Sequence, residues 1–187
     1  MSTLRSFIAL PTSSEVQSRI LRVLEKLESI PSDVRWDTPD KFHITLKFLG
    51  NTEALPLEPL SQHLESQIAT IKAFDVTYSE IGGFPDLSQP RVLWIGARRD
   101  PDLMSLQTLI EETCAMFGFK KDDRAFHPHV TLGRVKGPRG LDRLTAMLKS
   151  LTFEPVIAHC TKLHLVRSEL HPAGSRYTVL KSIPLKS

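Results

Sequence analysis

The chain has 187 residues, of which 41% are hydrophobic and 24% are charged, and its formal net charge at pH 7 is +3. This composition is that of a soluble globular protein and excludes wholesale disorder. The mild positive charge fits an anionic ligand held in one site better than tight wrapping of duplex nucleic acid, which needs many phosphate contacts.

No stretch of the sequence approaches the roughly 18 apolar residues that a membrane-spanning helix needs. The apolar run at residues 7–10 is stopped by Pro11 and is too short for a signal peptide. We therefore expect a cytoplasmic protein that does not enter the membrane. Cys114 and Cys160 form no C-x-x-C pair, so both are expected to be reduced, mostly buried thiols.

Four segments have the apolar spacing of amphipathic helices. The first has Ser13 or Ser14 as its N-cap, and the second follows Pro56. The third has Asp100 as its cap and Pro101 in its first turn, and it ends at Gly118. In chain order, the apolar faces are Val16, Ile20, Val23, Leu24, Leu27 and Ile30; Leu57, Leu60, Leu64, Ile68 and Ile71; Leu103, Leu106, Ile110 and Phe117; and Leu141, Leu144, Leu148 and Leu151.

Strand-like runs lie between these helices. They cover residues 7–10, 42–49, 74–81, 91–97, 129–135, 162–166 and 177–183. Helices and strands alternate without the regular rhythm of a doubly wound sheet, so the predicted class is α+β. Residues 82–85 and 138–140 are predicted loops, and no linker divides the chain, so residues 1–187 are expected to form one domain.

A short motif occurs twice and is the most informative feature of the sequence. The letters HITL at residues 43–46 recur as HVTL at residues 129–132, which is 86 positions further on (129 minus 43). Each copy lies in a predicted strand with a helix before it and another after it. A duplicated unit of this kind predicts two similar lobes that face each other across a cleft.

Alternation along a strand puts the two polar residues of each copy on one face. His43 and Thr45 therefore point one way, and Ile44 and Leu46 point into the core. Residues 129–132 repeat the pattern. With both polar faces turned inward, two imidazoles and two hydroxyls line one cleft.

This set of groups suits acid–base chemistry on a phosphate. An unperturbed imidazole titrates near pH ~6.5, so His43 and His129 are able to supply one proton acceptor and one proton donor near neutral pH. The hydroxyls of Thr45 and Thr131 are suited to bind nonbridging phosphate oxygens. One such motif in a strand carries little information, whereas two matched copies predict a function.

Further candidates lie close to the motifs. Lys47, predicted to share the face of the first threonine, and Arg134, just beyond the second motif, would add positive charge where charge develops on the phosphorus. An aromatic ring near the cleft would stack a base, and the sequence leaves Phe7, Phe48 and Phe84 as alternatives for this role.

The motifs and their surroundings resemble the two-histidine phosphoesterase superfamily, specifically its bacterial RNA 2',3'-cyclic phosphodiesterase branch, also described as 2'-5' RNA ligases. The resemblance covers nearly the whole chain. It is carried by residues 5–10, 36–50, 83–85, 90–96, 127–134 and 165–170, followed by Gly174 and Tyr177. His127 departs from the arginine common before the Pro-His pair in this family, and the difference bears on substrate preference rather than on the chemistry.

The resemblance implies a bilobal α+β fold in which antiparallel sheets of two pseudo-symmetric lobes line a central cleft, with helices outside and no metal cofactor. It implies a monomer that hydrolyses the 2',3'-cyclic phosphate end of an RNA or nucleotide to a 2'-phosphomonoester. On this hypothesis His129 is the general base and His43 the general acid. Because the repeats are nearly symmetric, the residues alone leave these two roles open.

Three alternatives remain at this point. His43, His127 and His129 would make a three-histidine zinc set, although no Asp, Glu or Cys lies at ligand spacing nearby. The same groove would also suit a non-catalytic RNA- or nucleotide-binding module. Thirdly, a 5'-hydroxyl end in place of water would turn the same chemistry into RNA ligation, for example of tRNA halves.

Overall fold

The computed structural model describes residues 5–51, 57–172 and 174–187. In these residues the chain forms an antiparallel sheet with helices against it. The elements are β1 (Arg5–Pro11), α1 (Ser14–Glu28), β2 (Val34–Trp36), a 3-10 turn (Pro39–Lys41), β3 (His43–Asn51), α2 (Leu57–Ile68), β4 (Phe74–Phe84), β5 (Val92–Ala97), α3 (Pro101–Met116), β6 (His129–Val135), α4 (Leu141–Ser150), β7 (Val156–Cys160), β8 (Lys162–His171) and β9 (Gly174–Pro184).

The strands form one continuous sheet in the order β7-β4-β5-β6-β3-β1-β8-β9, with β2 paired to β6. The two motif strands, β6 and β3, are neighbours at the centre, with three strands outside each. They share a single residue pair, Ile44 with Val130, in antiparallel orientation. The two similar units expected from the repeat are therefore the halves of one sheet, and a separation into two lobes stays a prediction.

The core lies between one face of the sheet and the helices. Ile8 and Leu10 of β1, Ile44 of β3 and Val130 and Leu132 of β6 are fully buried on that face. Helices α1 and α4 contact each other, whereas α2 and α3 form a second pair that contacts β9 and β3. The motif histidines and threonines alternate with these core residues, so they lie on the opposite face of the sheet.

The α+β class predicted from the sequence is confirmed, and all four predicted helices are present. Ser13 caps α1 by accepting a hydrogen bond from the backbone N–H of Val16. Asp100 occupies the N-cap of α3 without a side-chain hydrogen bond. Helix α2 ends at Ile68, three residues before the predicted Ile71. Pro56, predicted to precede this helix, lies outside the described residues.

Two short strands, β2 and β7, were not among the predicted strands, and the predicted turn at residues 82–85 is wrong. Strand β4 continues to Phe84, because Gly82 and Gly83 pair with Trp94 and Leu93 of β5. The glycine at position 82 admits the indole of Trp94, which would clash with a Cβ atom there. Glycines inside a strand thus mark a close approach here rather than a turn.

Two further expectations concern the cysteines and membrane-spanning helices. Cys114 and Cys160 are free and buried, as predicted. Among the described residues, no helix is both long enough and apolar enough to cross a bilayer.

Candidate active site

The four polar side chains of the two motifs meet in one cleft. His43, Thr45, His129 and Thr131 all line a cavity with a volume of about 630 Å³. Each of the four is half-buried, which leaves part of the side chain accessible to a ligand. The cavity is of the size that small-molecule sites have in proteins.

The register of the two strands fixes how these four groups are arranged. Because β3 and β6 run antiparallel through the pair of Ile44 with Val130, His43 comes beside Thr131 and Thr45 beside His129. The histidines therefore occupy one diagonal of a four-cornered arrangement and the threonines the other. In a regular antiparallel pair, residues on such a diagonal are roughly 7–8 Å apart.

Each histidine ring is oriented by the backbone carbonyl two residues before it. Nδ1 of His129 donates to the carbonyl oxygen of His127, at 2.7 Å. His43 makes the equivalent hydrogen bond with the backbone of Lys41. For His129 this bond fixes the tautomer and leaves Nε2 as the ring atom that accepts or delivers a proton.

Aromatic rings pack against both histidines. Phe7 stacks on His43 with ring centroids 4.8 Å apart, and Tyr177 meets the same imidazole edge-on at 5.4 Å. Phe84 makes an edge contact with His129 at 4.9 Å. These contacts hold the rings in place and remove water from them.

The same burial disfavours the charged form of both imidazoles. Desolvation, followed by the electrostatic effect of His129, lowers the pKa of His43 from 6.5 to about 4. Desolvation also lowers the pKa of His129. In the free protein near neutral pH both rings are therefore neutral, and a bound anion would favour protonation again.

A β-bulge in the first motif strand changes which residues after Thr45 face the cleft. Ala9 pairs with Thr45 but Ile8 pairs with Lys47, so Leu46 is an extra residue that reverses the alternation beyond it. The prediction that Lys47 shares the face of Thr45 is wrong. Lys47 pairs with the core residue Ile8 and is buried at the cavity wall, where its ammonium donates to Glu111 and to the backbone of Lys120.

The position that does face the cleft after this bulge is Phe48. It pairs with Phe7 of β1, lines the cavity and is 62% exposed. Phe7 is buried against His43, and Phe84 is packed against His129. Of the three aromatic alternatives, Phe48 is thus the most exposed, while Phe84 is partly buried and lines the same cavity.

The second motif strand contains a bulge at the equivalent residue. Trp94 pairs with Thr131 and Leu93 with Gly133, so Leu132 is the extra residue. The reversed alternation turns Arg134 toward the cleft, where it is exposed and lines the cavity. Arg134 thus lies at the cleft, and its contact with a phosphate stays a prediction.

Other groups around the cleft were not found from the sequence. Asp37, Lys41 and Tyr177 line the same cavity as Arg134. Burial raises the pKa of the Asp37 carboxyl, and it also raises the pKa of Tyr177. Asp37 lies shortly before His43 but belongs to neither motif, and Tyr177 lies in β9, which is far from both motifs in sequence.

The metal alternative has no geometric basis among the residues described. In those residues, no group of three or more His, Cys, Asp or Glu side chains is placed to hold a metal ion. The ring of His127 packs instead on the indole of Trp94, with centroids 4.7 Å apart.

The duplicated motif, the paired central strands and the shared cleft define a two-histidine phosphoesterase fold. Residues 37–172 match the sequence profile of the 2'-5' RNA ligase superfamily. The chain belongs to this family, as the resemblance of its motifs predicted.

Among curated relatives, the RNA 2',3'-cyclic phosphodiesterase of Methanothermobacter thermautotrophicus is 30% identical over 93% of this chain and 95% of its own length. The RNA 2',3'-cyclic phosphodiesterase of Aquifex aeolicus is 31% identical over 99% of both chains. Two solved structures have the same fold as this chain. The protein TT0787 of Thermus thermophilus superposes with a TM-score of 0.79 at 26% identity over 98% of both chains. E. coli LigT complexed with 3'-AMP has a TM-score of 0.75 at 26% identity over the full length of both.

Proposed function

We propose that this protein hydrolyses the 2',3'-cyclic phosphate end of an RNA or nucleotide, with His43 and His129 as its acid–base pair. The carrying observation is the antiparallel pair of Ile44 with Val130, from which we infer the four-cornered arrangement of the polar side chains. A phosphorus atom above this pair would have one imidazole on each side, which is the geometry that in-line displacement requires. The names of the curated relatives support the same substrate.

The threonines supply the second element of the reaction. Their hydroxyls lie on the other diagonal, where they would donate to the two nonbridging oxygens of the phosphate. Such hydrogen bonds strengthen as negative charge builds on these oxygens, and they are strongest in a site that excludes water. Thr45 and Thr131 would therefore stabilise the transition state more than the bound substrate.

The histidines would have opposite roles in one step. His129 takes a proton from a water molecule through Nε2 as the new bond from water oxygen to phosphorus forms. His43 gives a proton to the 3'-oxygen as its bond to phosphorus breaks, which leaves a 2'-phosphomonoester. Because the pKa of His43 is about 4 in the free protein, this assignment requires the substrate anion to raise it on binding.

The cleft also contains groups that would bind parts of the substrate outside the reaction centre. Phe48 at one end would stack the terminal base, and Arg134 at the other would attract the anionic phosphate. A volume of about 630 Å³ exceeds the reaction centre itself and suits a nucleotide or an RNA end. We further propose that the protein acts in the cytoplasm as a monomeric single domain.

The test is turnover of a panel of 2',3'-cyclic mononucleotides and cyclic-phosphate oligonucleotides after exhaustive chelation, with the products identified by phosphorus NMR. We expect 2'-phosphomonoesters and rates that chelation leaves unchanged. No turnover of any cyclic phosphate would contradict the proposal. Products that carry a 3'-phosphate would reverse which oxygen His43 protonates.

A parallel reaction with a 5'-hydroxyl oligonucleotide separates hydrolysis from ligation, because the alcohol would then replace water at the same phosphorus. We expect hydrolysis to dominate, since water is far more abundant than any RNA end.

A further inference from the structure

The ammonium of Lys47 is buried and donates hydrogen bonds to two protein groups. Its Nζ donates to Oε2 of Glu111 at 2.7 Å and to the carbonyl oxygen of Lys120 at 2.6 Å. The side chain of Lys47 is 3% exposed and that of Glu111 is 13% exposed. Glu111 lies on α3, and Lys120 lies in the segment that follows this helix.

That segment, residues 117–128, connects α3 to β6 and is called the α3–β6 loop below. The same carboxylate oxygen of Glu111 also accepts a hydrogen bond from the backbone N–H of Asp122, at 3.4 Å. One buried ion pair thus binds the loop backbone at two points, a carbonyl and an N–H. Both belong to a stretch whose side chains, from Lys120 to Ala125, are exposed to solvent.

The α3–β6 loop also forms part of the cleft wall. Arg124, Phe126 and His127 line the cavity, and the carbonyl of His127 orients the ring of His129. The central strands β3 and β6 are joined directly by only one residue pair. Lys47, two residues beyond Thr45, therefore links the first motif strand to the loop that leads into the second.

We propose that Lys47 and Glu111 form a clamp that positions the α3–β6 loop against the cleft, and that Lys47 is a positioning residue of this site rather than a phosphate ligand. The effect on the loop stands on these contacts alone, whereas the effect on turnover rests on the proposed function. The clamp keeps the wall formed by Arg124, Phe126 and His127 at a fixed distance from Thr45.

The energetics of buried ion pairs explain why position, and not stability, is the expected contribution. Desolvation of two charges offsets most of their attraction, so a pair of well-packed apolar side chains often gives equal or greater stability. Apolar side chains, however, have no group that binds the carbonyl of Lys120 or the N–H of Asp122. Replacing both members of the clamp should therefore preserve the fold and release the loop.

Limited trypsin digestion of the folded protein tests the loop directly, because Lys120, Lys121 and Arg124 are exposed cleavage sites within it. The variants are Lys47→Met, Glu111→Gln and the double variant Lys47→Met/Glu111→Met. We expect cleavage in the loop to become roughly tenfold faster, as loss of a charged hydrogen bond predicts. Glu112→Gln, a neighbour on the same helix that makes none of these contacts with the loop, is the matched control and should be cleaved like the wild type.

Kinetics with a cyclic-phosphate dinucleotide give the second readout. We expect the double variant to unfold at the wild-type temperature or above it. Its KM should nevertheless be higher than that of the wild type, and its kcat should change less than its KM. If the double variant regains both the wild-type KM and slow cleavage, the ion pair only fills space and the proposal is wrong. Weaker binding of inorganic phosphate by Lys47→Met without faster cleavage would instead make Lys47 a ligand.

The two failures are distinguishable. An inactive wild-type protein would contradict the proposed function and leave the digestion result intact. Unchanged digestion of all three clamp variants would overturn the clamp, whatever the wild-type activity.

Discussion

The two motif strands carry the same four-residue pattern and the same bulge, yet they present different groups to the cleft. In β3 the bulge at Leu46 turns Lys47 to the core side and Phe48 to the cleft. In β6 the bulge at Leu132 turns Gly133 to the core side and Arg134 to the cleft. A nearly symmetric reaction centre is thus flanked by an aromatic ring at one end and a guanidinium at the other. On the proposed function, this asymmetry would give a bound nucleotide a direction.

The two motif histidines also differ in the aromatic residues that surround them. Both rings bind the carbonyl two residues earlier, but His43 lies under Phe7 and beside Tyr177, and its pKa falls to about 4. His129 packs against Phe84, and its pKa is also lowered. The motif therefore determines that two imidazoles are present, and the residues of neighbouring strands determine their pKa values.

The largest expected effect comes from removing either histidine. His43→Ala and His129→Ala should each lower kcat/KM by roughly 10²–10⁴-fold, the usual contribution of one general acid or base. The double variant should lose less than the product of the two, because the residues act as a unit. Near-normal turnover of either single variant with an unchanged circular dichroism spectrum would break the two-histidine interpretation.

A substrate with a good leaving group tells the two histidines apart. A p-nitrophenyl phosphodiester needs no proton on its departing oxygen, so His43→Ala should be much less impaired on it than on a cyclic phosphate. His129→Ala should remain fully impaired on both. The reverse pattern would exchange the acid and the base.

The next largest loss of activity is expected from removing the threonine hydroxyls. Thr45→Val and Thr131→Val keep the shape of the side chain and remove the hydroxyl, so each should lower kcat/KM by roughly 10-fold or somewhat more, the value of one hydrogen bond to a charged group. Thr45→Ser and Thr131→Ser keep the hydroxyl and should retain most of the activity. Normal turnover of both valine variants would make the threonines structural.

The pH dependence of kcat/KM reports the ionisations of the free protein. Activity needs one neutral and one protonated histidine, and both pKa values lie below 6.5 in the free protein. We therefore expect a bell-shaped profile with its maximum below pH 6.5 and a fall of about tenfold per pH unit on the alkaline side. The maximum for kcat should lie at higher pH, because a bound phosphate anion raises these pKa values. A kcat/KM maximum above pH 7 would contradict the assigned burial effect.

The smallest effects should come from the two positions that the bulges turn toward the cleft. Arg134→Gln should raise KM for all cyclic nucleotides by roughly fivefold, an effect that weakens in high salt because the guanidinium is exposed. Phe48→Ala should raise KM by a similar factor, more for purines than for pyrimidines, since stacking grows with ring area. Arg143→Gln on α4 and Phe48→Trp are the respective controls. An equal response of purines and pyrimidines to Phe48→Ala would remove Phe48 from base recognition.

Much of the fold and the centre of the site followed from the sequence. The apolar spacing predicted the four helices, and alternation predicted that Ile44, Leu46, Val130 and Leu132 face the core. The duplicated motif identified the two histidines and two threonines that line one cavity. These inferences succeed because helix periodicity and strand alternation follow from the local geometry of the backbone, which the sequence pattern reflects directly.

Only the tertiary structure decided which residues surround that centre. A bulge reverses strand alternation, and its position depends on the register with the partner strand rather than on the bulged residue alone. For this reason alternation predicted that Lys47 shares the face of Thr45, whereas the register with β1 pairs Lys47 with the core residue Ile8 and turns Phe48 to that face. Tyr177 reaches the cleft from β9, which is remote in sequence, and Asp37 reaches it from the end of β2, which pairs with β6. Such pairing across the sheet, unlike alternation, is set by the whole chain.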